Sequence, residues 1–178
     1  FGERFFECRS DQQAREAIEA RELPEAPWRY TDDTVMALGI AEVLREAGEL
    51  DQEHLADVFA ERYRREPRRG YGSNARRLLQ RVAEGEDWSE LSHEAFGGEG
   101  SFGNGAAMRV TPVGGYFADD LDDVVEAARQ SAEITHAHPE GIAGAIAVAV
   151  AAAVAWRTRG VSARGVRHAI MDEVLERT

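Results

Sequence analysis

The chain has 178 residues, 43% of them hydrophobic and 30% charged, which suits one globular domain with enough length to bury a real core. Its formal charge is −12, its pI is about 4.9, and every basic residue is Arg; this acidity argues against non-specific binding to nucleic acid or to an anionic membrane surface. The single Cys8 excludes an intrachain disulfide and a cysteine-based zinc site, and makes a reducing, cytoplasmic setting the expectation.

Helical periodicity dominates and alternating β-branched runs are almost absent, so the expected fold class is all-α and not coiled-coil. A polar helix is expected over 11–21, ended by the proline-containing stretch at 23–27. The next covers 34–47, with Val35, Leu38, Val43 and Leu44 among its inward positions and Gly48 as its stop. Asp51 caps a helix reaching about Arg65, with Leu55, Val58, Phe59 and Tyr63 at helical spacing and Pro67 beyond its end. A helix over 74–84 turns Leu78, Leu79 and Val82 inward and closes at Gly85. Residues 97–105 form a glycine-rich loop. A helix over about 120–134 is capped by Asp119 or Asp120. Pro139 opens a long Ala-rich helix ending near Arg157; its uncharged run, 141–156, is shorter than the roughly 20 residues of a bilayer span and reads as a core helix. An amphipathic helix over 162–177 comes last. Trp28, Trp88 and Trp156 read as packing anchors.

Three segments stand out chemically. Directly ahead of the 34–47 helix lies Tyr-Thr-Asp-Asp-Thr at 30–34. Adjacent carboxylates between hydroxyls repel each other and suit a helix start, where free N–H groups and the positive dipole end face them. The segment is either a plain acidic cap or a cluster of hard oxygens able to hold a divalent cation such as Mg²⁺.

The second segment is Gly-Ser-Phe-Gly-Asn-Gly-Ala-Ala-Met-Arg at 100–109, preceded by Gly97 and Gly98. Its glycines let backbone N–H groups approach a ligand closely, and diphosphate is the natural guest; the alternative is a structural glycine turn. The third is Thr-His-Ala-His-Pro at 135–139, at a helix–helix junction. His136 either caps or hydrogen-bonds a loop, or contacts a phosphate or ribose, and no third soft ligand nearby supports a His-x-His metal site. Two other charged stretches, basic at 62–69 and acidic at 119–123, read as a solvated helix end and as capping carboxylates.

In this order and spacing, the Thr-Asp-Asp-Thr segment, the Ser-Phe-Gly-Asn-Gly-Ala-Ala-Met-Arg loop and the Thr-His-x-His-Pro junction resemble the ADP-ribosylglycohydrolase family, which includes the dinitrogenase-reductase-activating glycohydrolases. The resemblance implies a compact orthogonal all-α fold holding two Mg²⁺ ions, or Mn²⁺ in some members. It further implies hydrolysis at the anomeric carbon of ADP-ribose attached to a protein side chain or small molecule. On this likeness Thr31, Asp32 and Asp33 are metal ligands, with Asp33 also in a catalytic role. Gly100, Ser101, Phe102, Gly103 and Asn104 cradle diphosphate and ribose, and His136 contacts the same ligand.

The chain departs from the family pattern at both ends. Phe1-Gly2 looks like the tail of the family's N-terminal Gly-Asp-Ala-[apolar]-Gly motif, and Glu7, with Glu3 as the alternative, stands for the catalytic glutamate that follows it. The family's C-terminal Gly-Asp-x-Asp-[Thr/Ser] motif is not in the sequence. The expectation is therefore an incomplete domain over 1–178 that supplies about half of a dinuclear site, a further C-terminal segment completing it. The alternative function is an inactive ADP-ribose-binding homologue or regulatory module. An apolar patch on the Ala-rich helix is expected to be left uncovered.

Overall fold

The computed structural model describes residues 10–21, 27 and 29–178. The chain divides into two units, Phe1–Thr31 and Asp32–Thr178. Every regular element among the described residues is helical, as an all-α reading requires.

In the first unit, α1 (Asp11–Ala20) starts where the Ser10 hydroxyl accepts the Gln13 N–H at 3.3 Å and stops at Arg21, whose φ of 50° is left-handed. None of its residues is buried. Cys8 and Trp28 lie outside the described residues.

The second unit holds nine helices among the described residues. Helix α2 (Asp32–Ala47) begins two residues ahead of the sequence expectation, which places both carboxylates in its first turn, the favourable end of the dipole. Its buried stripe is Val35, Met36, Gly39, Ile40, Val43 and Leu44. Leu38, expected inward, is 49% exposed, because the stripe at 36, 40 and 43 turns position 38 to the opposite side. Helix α3 (Gln52–Arg65) is capped as expected by Asp51, which accepts the His54 N–H at 3.0 Å, and buries Leu55, Ala56, Phe59 and Ala60. It packs closely on α2: a β-carbon at Gly39 would lie 3.2 Å from the Phe59 ring. Helix α4 (Ser73–Ala83) buries the expected Leu78, Leu79 and Val82.

Two short helices escape the periodicity reading. Helix α5 (Trp88–Glu94) is capped by Asp87, and α7 (Thr111–Tyr116) carries Pro112 in its first turn. At seven and six residues, neither spans enough turns to show a stripe. Between them lie a 3₁₀ turn (Ala95–Gly98) and α6 (Gly105–Arg109).

Helix α8 (Leu121–Glu133) is capped by Asp120 and leads to the central helix, α9 (Pro139–Arg157). α9 contacts α6, α7, α8 and α10 (Ala163–Arg177), and buries Gly141, Ala145, Ile146, Ala149, Val150, Ala153 and Val154. By length and composition alone α9 could cross a bilayer; here that stripe lies in the core. The packing is tight enough that a β-carbon at Gly114 of α7 would lie 2.2 Å from the Ala149 carbonyl oxygen. Each buried Val, Leu or Phe of this core contributes about 1.5–3 kcal/mol of hydrophobic stabilisation before chain entropy is counted.

The periphery departs from expectation. α10 buries no residue fully; Ala169, Ile170 and Val174 lean half-buried on the core while Met171 and Leu175 are exposed. On α9, Val148 and Trp156 face outward, and the Arg159 guanidinium stacks 3.5 Å over the Trp156 ring. Trp156 is thus a surface aromatic, whereas Trp88 anchors as expected, its Nε1 donating to Glu53 at 2.9 Å.

Candidate functional site

The glycine loop and the histidine junction come together in the second unit. Gly100 has φ of 78°, and a β-carbon there would fall 2.6 Å from the His138 backbone nitrogen; only glycine admits both the conformation and the approach. A β-carbon at Gly141, in the first turn of α9, would fall 2.7 Å from the Ser101 carbonyl oxygen and 3.3 Å from His136 Cβ. Ser101 is buried, and its hydroxyl accepts the Gly103 N–H at 3.3 Å. The loop then passes over the His136 ring: β-carbons at Gly103 and Gly105 would lie 3.5 and 3.3 Å from His136 Nε2. Asn104 follows at the N-cap position of α6, making no side-chain cap bond.

His136 itself is buried, and its Nδ1 hydrogen-bonds the Thr135 hydroxyl at 2.7 Å. Burial, and then the Arg109 charge, push its pKa down to about 3, so the ring is neutral at physiological pH. Its two nitrogens therefore divide the work of one donor and one acceptor, with Nε2 turned toward the loop glycines. The neighbouring His138 is the residue that caps: its Nδ1 accepts the Glu140 N–H at 3.1 Å. The two histidines thus hold different posts.

Phe102, in contrast to Ser101, is 60% exposed, and its ring lies 5.1 Å from that of Phe96, itself exposed. Phe96 has φ of 55°, a left-handed conformation unusual for an aromatic residue and characteristic of positions under functional constraint. The sequence reading singled out Phe102 but not Phe96; the signal available was an aromatic immediately ahead of Gly97-Gly98 in the same loop.

The acidic pair occupies the first turn of α2. The Asp32 N–H donates to the Arg69 carbonyl at 2.7 Å, and the Asp32 carboxylate sits against Gly70, where a β-carbon would lie 3.4 Å from Oδ1. Burial and the Asp33 charge raise the Asp32 pKa. Next to Gly70, the buried Tyr71 hydroxyl has no hydrogen-bond partner, and burial, then Asp32, push its pKa up to about 12. Sequence reasoning missed this Arg69–Tyr71 support, because nothing local ties it to a motif thirty-odd positions earlier. Thr31 ends the first unit, directly before α2, and Glu7 lies outside the described residues.

Among the described residues, no group of three or more His, Cys, Asp or Glu is placed to hold a metal ion. What is present fits one in part. The donors are oxygen only, which suits a hard divalent cation, and such a cation would offset both the burial and the Asp33 repulsion that raise Asp32.

The ADP-ribosylglycohydrolase family model matches residues 4–178. The chain belongs to this family. It is 40% identical over 124 residues to ADP-ribosylhydrolase ARH3 of Gallus gallus, covering 68% of this chain and 34% of that protein. With ARH3 of Xenopus tropicalis the identity is 41% over 124 residues, covering 68% and 35%. With ARH3 of Homo sapiens it is 37% over 124 residues, covering 68% and 34%. The matched region thus spans about a third of the length of these relatives.

Proposed function

We propose that the chain supplies the acidic helix start, the glycine loop and the histidine junction of a Mg²⁺-dependent hydrolase that releases ADP-ribose from a protein side chain or small molecule. The observation that carries this reading is the buried, neutral His136 enclosed by Gly103 and Gly105, in a loop that also carries the buried Ser101 and the exposed Phe102 packed against Phe96.

Each part has a task. The loop N–H groups face the diphosphate without bringing in a cation that would compete for the carboxylates. His136 Nε2 addresses phosphate or ribose oxygen. Phe96 and Phe102 offer faces on which adenine stacks. Asp32 and Asp33, with Thr31, would hold Mg²⁺, or Mn²⁺ in its place. The bound metal would orient ribose hydroxyls and water, and neutralise charge. Glu7 would position the attacking water as oxocarbenium character develops at the sugar.

The test is release of ADP-ribose by the natural full-length protein in Mg²⁺, compared with its Asp33→Ala variant. Loss of activity with an unchanged circular dichroism spectrum is expected. Activity that survives Asp33→Ala while still requiring Mg²⁺ would refute the assignment. ADP-ribose binding without turnover in the unmodified protein would move the function to a binding module.

A further inference from the structure

Arg109, the last residue of α6, is only 1% exposed. Its Nη2 donates to the Ser131 carbonyl of α8 at 2.7 Å, its Nη1 lies 3.6 Å from Met36 Sδ of α2, and its guanidinium sits 4.5 Å over the Phe59 ring of α3. Among the described residues no carboxylate lies within ion-pair distance of it, and its Nε has no hydrogen-bond partner. The hydroxyl of the same Ser131 is also buried without a partner.

A buried guanidinium with no counter-ion in contact is among the most destabilising groups a core can hold, and an apolar residue of similar length would fill the space more favourably. The elements that meet at Arg109 explain why it is there. Met36 follows Asp33 by three residues on α2. Arg109 closes the short helix that leaves the glycine loop, and Ser131 precedes the Thr135–His136 junction. The Asp33 charge partly offsets the burial of Arg109, and Arg109 in turn helps keep His136 neutral. Inside a low-dielectric core such a charge acts over longer distances than it would at the surface.

We propose that Arg109 is a positioning residue of the ADP-ribose site, a fixed buried cation that biases the glycine-loop pocket toward the diphosphate while touching neither ligand. The inference rests on the ADP-ribose reading above. The same charge disfavours a metal ion at the start of α2, so removing it should move the two ligands in opposite directions. A merely architectural arginine would move both the same way, together with stability.

The experiment uses the natural full-length protein and its Arg109→Lys and Arg109→Met variants. ADP-ribose is titrated calorimetrically without divalent metal, Mn²⁺ is titrated alone, and melting temperatures are recorded. Arg109→Met is expected to weaken ADP-ribose binding about tenfold, to tighten Mn²⁺ binding, and to leave the melting temperature equal or higher. Arg109→Lys, whose ammonium gives up its proton on burial more readily than a guanidinium, should fall between the unmodified protein and Arg109→Met in ADP-ribose affinity, and closer to the unmodified protein at pH 6 than at pH 8. Unchanged ADP-ribose affinity in Arg109→Met overturns the proposal. So does a variant that melts earlier and binds both ligands more weakly. An unmodified protein that binds no ADP-ribose overturns the functional reading itself, and this inference with it.

Discussion

A β-carbon at Gly105 would lie 3.1 Å from Cε1 of His136, closer than the ring accepts without moving. The ring cannot swing freely, because it is buried and held by the Thr135 hydroxyl at 2.7 Å. Gly105→Ala should therefore displace His136 by a few tenths of an ångström while α6 keeps its helix. A loss of ADP-ribose affinity of about tenfold with little change in melting temperature is expected, measured by calorimetry and thermal melts.

His136 also predicts a pH dependence of stability. Its pKa is lowered to about 3 in the folded chain and returns to about 6.5 on unfolding. Between these values the unfolded chain binds the extra proton, so stability rises with pH. The contribution is fully present above about pH 6.5 and is lost as pH falls toward 3, with a limiting slope of about 1.4 kcal/mol per pH unit. In denaturant titrations between pH 7 and 5, His136→Gln should flatten this slope.

Asp32 should show the opposite sign. Its folded pKa is raised, so its favourable contribution holds when protonated and is lost as pH rises through the folded pKa. At neutral pH the ionised side chain therefore opposes folding. Asp32→Asn keeps an acceptor for the helix N–H groups and should raise the melting temperature at pH 7, while abolishing any stabilisation by added Mg²⁺.

Much of this was legible in the sequence, for physical reasons that differ by segment. The long helices announce themselves through stripes such as Leu55–Phe59 and Leu78–Val82, and their ends through Asp51, Asp120 and Gly85. The loop and junction were legible as glycine and histidine patterns, because close backbone approach leaves few other residues possible at Gly100, whereas the same constraint at Gly141 was hidden inside the Ala-rich run of α9. Arg109 was not legible in the same way. An arginine at a helix end ordinarily faces solvent, and only the meeting of Met36, Phe59 and Ser131 around it reveals burial. Phe96 and Tyr71 were hidden for a similar reason: one depends on a backbone conformation and the other on a distant partner segment.

Phe96 and Phe102 yield a paired prediction. Phe96→Gly relieves the left-handed backbone and should stabilise the fold by about 0.5–1 kcal/mol while weakening ADP-ribose binding. Phe102→Ala, at an exposed position, should change stability by no more than about 0.5 kcal/mol and lower affinity by the roughly 1–3 kcal/mol of a lost stacking face. Affinity unchanged in both variants would exclude the aromatic pair from the site.

The contacts of Gly100 with His138 and of Gly141 with Ser101 have a kinetic consequence. The loop is wedged against the first turn of α9 and the junction that precedes it, so its shape is set when the core forms. A ligand arriving there meets a preformed receptor with little chain left to order. Association should then proceed in a single step without a slow closing phase, and differences in affinity among variants should appear in the dissociation rate.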